Sequence, residues 1–146
     1  MIKKNGNIFR LETENTTLIL RADTAEYLYY GKKTEAAGDV TVLRGRPRRF
    51  VSCLGKDAEY SEQAVSVFNA DGGFVSDFLF SKARILSEKP EIPGLPSSYG
   101  EGKTLELKYI DKTKLTLCLY YTVFEDGDVI AVSSRLFNGS KKDVRI

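Results

Sequence analysis

The chain has 146 residues, a net charge of +2 from 22 basic and 20 acidic residues, and neither His nor Trp. Hydrophobic residues at 42% and charged residues at 29% exclude a disordered chain. The balanced charge gives no reason to expect a nucleic-acid partner, and without His neither a Ser-His-Asp nor a Cys-His site can be built.

The length fits one domain, 1–146, and a chain of this size buries roughly 70% of its unfolded surface. Met1-Ile-Lys-Lys-Asn5 is not followed by an apolar run, and no stretch of about 18 apolar residues could span a membrane. The expectation is a cytoplasmic protein with no membrane contact.

In chain order, the first predicted strand is Ile8–Leu11. A second, Thr16–Ala22, sets Leu18 and Leu20 on one face and Thr17, Ile19 and Arg21 on the other. A third runs Ala25–Tyr30 and ends at Gly31. Residues 32–56 lack periodicity and carry Arg44, Arg46, Arg48 and Arg49 around Pro47. With only Phe50 following, that run reads as a solvated loop or protein contact, not a nucleic-acid groove. Glu59–Ala64 suits one helical turn, and Ala64–Phe68 a fourth strand. Asn69-Ala-Asp-Gly-Gly73 is a turn before a strand over Phe74–Leu86. Pro90, Pro93 and Pro96 exclude a helix or central strand over 88–102.

The last third alternates most cleanly. Leu105, Leu107 and Tyr109 form one face, then Leu115, Leu117, Leu119, Tyr121 and Val123, with polar turns at 111–114 and 125–128. Val129–Phe137 is the next strand, closed by Asn138-Gly139. Period two with polar turns predicts an antiparallel meander whose apolar face packs on another sheet. Val144–Ile146 reads as the opening of another strand, so the chain is expected to be a fragment or to end on a short edge. The fold class is all-β, an antiparallel β-sandwich.

Chemistry-bearing residues are few. Asp71, Asp111, Asp126 and Asp128 fall in turns, where Asp side chains bond local backbone, so turn chemistry is preferred to catalysis. Glu59 and Glu62 read as a solvated loop face. Cys53 and Cys118 lack metal-ligand spacing and read as buried free thiols, with a disulfide as the alternative. Neither a metal nor a cofactor is expected. Tyr27, Tyr29, Tyr30, Tyr120 and Tyr121 suit core or cross-strand packing, with stacking on a sugar ring as the other reading.

Several segments then resemble one family. Tyr27-Leu-Tyr-Tyr-Gly-Lys32, Ala64–Phe80, Lys89–Pro96 with Tyr99, Leu119–Asp126 with Asp128-Val-Ile130, and Arg135-Leu-Phe-Asn138 are similar, in order and rough spacing, to segments of glycoside hydrolase family 36 α-galactosidases. The resemblance implies a galactose mutarotase-like β-supersandwich preceding a catalytic (β/α)₈ barrel in the same polypeptide. The barrel would supply both catalytic Asp residues, leaving no catalytic residue in this chain. It also implies that the sandwich extends past the matched region, which suits the abrupt end at Ile146.

In tetrameric members a loop of this domain reaches a neighbouring subunit's active site. Arg49–Ala64 corresponds to it, which makes Asp57, Glu59 and Tyr60 the candidate α-galactoside contacts and a homo-oligomer the expected assembly. Ser61 stands where the family has an arginine and cannot fork two hydrogen bonds to a ligand. The expected function is a non-catalytic support and subunit-contact domain, presenting an exposed apolar patch to the rest of the enzyme. The alternative is a free-standing carbohydrate-binding or protein-interaction module.

Overall fold

The computed structural model describes residues 1–35, 65–69, 72–74, 76–94, 96 and 99–146. Among these there are eight strands and no helix. The strands are β1 (Ile2–Asn5), β2 (Ile8–Glu12), β3 (Thr16–Arg21), β4 (Glu26–Lys32), β5 (Leu79–Leu86), β6 (Lys103–Ile110), β7 (Leu115–Phe124) and β8 (Val129–Asn138). They form two four-stranded sheets in the orders β1-β2-β3-β4 and β5-β6-β7-β8, with every pairing antiparallel.

Alternation decides which face each sheet buries. In the second sheet, Leu105, Leu107 and Tyr109 pair with Tyr121, Leu119 and Leu117 across the inner face. In the first, Phe9 and Leu11 pair with Leu20 and Leu18. All ten belong to one core cluster, so the two inner faces pack on each other as the meander pattern requires. Each such leucine contributes roughly 1.5–3 kcal/mol by leaving water.

The layers are also pinned by polar bonds. The Tyr109 hydroxyl, at the end of β6, donates to the Ala22 carbonyl beyond β3 at 2.5 Å. At the other end, the Asp128 carboxylate of the β7–β8 turn accepts from the Thr13 hydroxyl and, at 3.2 Å, from the Asn15 N–H. Tyr109→Phe keeps the ring but strands the buried Ala22 carbonyl, so a urea melt is expected to show a loss of about 1–2 kcal/mol.

Four expectations change in detail. β1 was not anticipated: Ile2-Lys3-Lys4-Asn5 has a single apolar residue, yet it pairs with β2 as a lysine-bearing edge. Around the predicted fourth strand, described residues 65–69 make only an isolated bridge, Phe68 to Arg145. The same bridge is all that forms within Val144–Ile146. β5 begins at Leu79, not Phe74, because the Asp77 N–H bonds the Asp111 carboxylate at 2.7 Å. The predicted turn after Phe68 is present. The Asn69 N–H reaches the Gly73 carbonyl at 2.9 Å, and the Phe68 and Phe74 rings meet edge-on at 4.7 Å across it. The predicted helical turn, Glu59–Ala64, lies outside the described residues.

Candidate functional site

The loop residues Asp57, Glu59 and Tyr60, with Arg44–Arg49 and Cys53, lie outside the described residues. The remaining candidates are placed as follows.

The tyrosines divide by layer. Tyr121 is fully buried at the centre of β7, and its ring meets that of Tyr27 edge-on at 6.1 Å across the sandwich. Tyr27 and Tyr30 fall on the same inner face of β4, because the ladder slips between Ile19 and Leu20 and leaves Leu28 unpaired. Both lie on an outermost strand and stay 47% and 69% exposed. Tyr120 faces the other way, onto the outer surface of the second sheet, yet it too is buried. Burial, with Cys118 and Glu106 beside it, pushes its phenol up to about 12.

Of the turn acids, Asp111 bonds its own turn, Asp128 instead bridges to the β2–β3 turn, and Asp71 lies outside the described residues. Asp111 is buried and accepts from the Thr113 N–H at 2.7 Å, the Thr113 hydroxyl at 2.5 Å and the Asp77 N–H at 2.7 Å. Asp128 is committed to Thr13 and Asn15. Glu12 pairs with Lys3 at 2.9 Å and Arg10 at 2.6 Å. Arg84 forks onto Glu106, at 2.7 and 3.0 Å to its two oxygens. Among the described residues no group of three or more His, Cys, Asp or Glu could hold a metal ion.

Cys118 is a buried free thiol. Burial holds its pKa up and outweighs the hydrogen bond with Tyr120, so the thiolate is scarce at neutral pH. In a Cys53→Ser variant, labelling of Cys118 by a thiol probe is expected to run at least about 100-fold slower in buffer than in urea.

The outer face of the second sheet carries rows of side chains that sequence reasoning did not assemble, although it singled out Cys118 and Tyr120. Register sets its side chains in cross-strand rows. One row is Leu79, Ile110, Thr116 and Phe137; the next is Lys82, Lys108, Cys118 and Arg135; a third is Arg84, Glu106, Tyr120 and Ser133. A bulge between Phe80 and Lys82 puts Leu79 and Lys82 on one face, where strict alternation would separate them. No sequence signal marks that bulge. The β5–β6 connection touches this sheet at two points: Arg135 donates to the Glu91 carbonyl, and Gly102 sits against β7. A Cβ at Gly102 would lie 2.8 Å from the Val123 carbonyl and 2.9 Å from Thr122, so no larger residue fits that approach.

The fold therefore defines a two-layer antiparallel sandwich whose buried acids serve turns and ion pairs. The chain belongs to the glycosyl hydrolase family 36 N-terminal domain family, which residues 23–146 match. It is 32% identical over 108 residues to alpha-galactosidase 2 of Hypocrea jecorina, covering 71% of this chain and 14% of that protein. It is 28% identical to a probable alpha-galactosidase C of Aspergillus oryzae, covering 82% of this chain and 16% of that protein. Among solved structures, the galactosidase domain of alpha-galactosidase-sucrose kinase superposes with a TM-score of 0.82 at 28% identity, over 99% of this chain and 24% of that one. The GH36 alpha-galactosidase AgaB from Geobacillus stearothermophilus shares the fold, with a TM-score of 0.82 at 21% identity, over 99% of this chain and 23% of that one. The chain thus spans about a seventh of these curated relatives and about a quarter of these structures.

Proposed function

We propose that this chain is the non-catalytic N-terminal domain of an α-galactosidase, an enzyme that removes terminal α-D-galactosyl groups, and that its work is to support the catalytic barrel and subunit contacts. The family match across residues 23–146, joined to the small share of each relative that the chain covers, carries the reading. The described carboxylates add support. A retaining hydrolase needs two carboxyl groups about 5–5.5 Å apart across a sugar, whereas Glu12 and Glu106 are each engaged by a cation, and Asp111 and Asp128 by hydroxyl and backbone N–H donors. On this reading the native polypeptide is several times the 16.3 kDa of this chain. An antibody to the sandwich should detect that larger species in source cells; a native protein of 16.3 kDa would refute it.

The loop carrying Asp57, Glu59 and Tyr60 would touch α-galactoside in a neighbouring subunit of a homo-oligomer. In the full-length enzyme, Glu59→Gln should then raise KM more than it lowers kcat, and an unchanged KM would remove the loop from the site. A second reading, direct sugar binding by the sandwich, is favoured by the exposure of Tyr27 and Tyr30 on one face. A raffinose titration that leaves the resonances of both tyrosines unmoved would eliminate it.

A further inference from the structure

We infer that the open end of the outer face of the second sheet is a docking surface for a folded domain of the same, longer polypeptide, one that presents an apolar patch rimmed by carboxylates. The inference rests on the proposed function and names the face that does the supporting.

Three observations carry it. The first is an apolar row on the wrong side of a sandwich. Leu79, Ile110 and Phe137 point away from the core and remain 53%, 39% and 48% exposed. Farther along this face Gly102 lies against Thr122, and Cys118, Tyr120 and Thr122 are buried, whereas this row is left bare. Exposed apolar side chains scattered singly are ordinary, but three aligned on β5, β6 and β8, with Thr116 of β7 between the last two, mark an interaction site.

The second is the row beside it. Lys82 and Lys108 are direct cross-strand partners, and Arg135 follows beyond Cys118. Like charges placed directly opposite destabilise a sheet. Among the described residues no carboxylate pairs with any of the three, while Arg84, one row away, has Glu106. An acidic rim on the docked domain removes that repulsion.

The third concerns the occupant. In an isologous contact this face would meet its own copy, setting one cation row toward another, so self-association is opposed. The matched relatives are longer than this chain by factors that leave ample mass for a further domain: it spans 14–16% of the curated proteins and 22–24% of the structures. A contact of about 800 Å² on this side is enough for a stable interface.

The test is lysine acetylation of the full-length source protein, read by peptide mass spectrometry alongside an α-galactosidase assay. Lys82 and Lys108 are expected to react about tenfold more slowly than Lys4, an exposed residue of β1 in the other sheet. Leu79→Asp should return Lys82 to the rate of Lys4, while an unreactive Cys118 reports that the sandwich is intact. Equal rates in an enzyme that cleaves α-galactosides would overturn the docking face and leave the proposed function standing. Absence of α-galactosidase activity would instead overturn the function on which it rests. Protection that fades on dilution would assign the face to a second copy and overturn the inference, as would a source protein ending at Ile146.

Discussion

Tyr121→Ala is expected to destabilise the sandwich by about 3–5 kcal/mol, the range for deleting a large ring from a packed core. Tyr121 is fully buried, pairs with Leu105 and Val132 on its own sheet, and meets the Tyr27 ring of the other sheet edge-on. The deletion therefore removes packing within one layer and contact between two. Single domains have roughly 5–15 kcal/mol in total, so a urea melt should show the midpoint collapsing toward zero denaturant. Tyr121→Phe keeps the ring and should cost no more than about 1.5 kcal/mol, the worth of the one hydrogen bond between the Tyr121 and Tyr27 hydroxyls. Equal losses in the two variants would mean that the hydroxyl, not the ring, joins the sheets.

Asp111→Ala is the second large effect, with an expected loss of about 2–4 kcal/mol. One buried carboxylate closes the β6–β7 turn through Thr113 and holds the backbone entering β5 through Asp77. Its removal leaves three donors without their acceptor. The same geometry sets a pH dependence. Burial raises the carboxyl pKa, but the bonds from the Thr113 hydroxyl, the Asp77 N–H and the Thr113 N–H outweigh it, so the folded value lies below the ordinary one. A depressed folded pKa gives stability that is complete above the unfolded value of about 3.9 and lost as pH falls through the folded value. The stability gap between the wild type and Asp111→Ala, measured by urea melts, should be constant near neutrality and close at the acid end. A gap that widens with acid would contradict the assigned bonds.

How much was legible in the sequence follows from where each feature is encoded. The meander β6–β8 was readable because its alternation is local and nearly uninterrupted, from Leu105 through Val123. Its packing on a second sheet followed from that one-sided pattern. β1 was not readable: an edge strand is marked by lysines more than by apolar residues, and Lys3 and Lys4 look like a solvated terminus. Two bulges hid the faces that matter most. One brings Tyr27 and Tyr30 together although they are three residues apart, and the other joins Leu79 to the Lys82 face. Neither has a composition signal. The Thr13–Asp128 bond joins residues 115 apart, beyond the reach of any local pattern. Asp57, Glu59 and Tyr60 rested on resemblance alone and lie outside the described residues.

The central proposal is that the sandwich is part of an α-galactosidase and carries none of its chemistry. Hydrolysis of a chromogenic α-galactoside by the full-length source protein and by the 146-residue chain, side by side at equal molarity, tests it most directly. The account predicts turnover by the former and none above buffer by the latter. Turnover by the 146-residue chain, or its absence from the full-length protein, would contradict it.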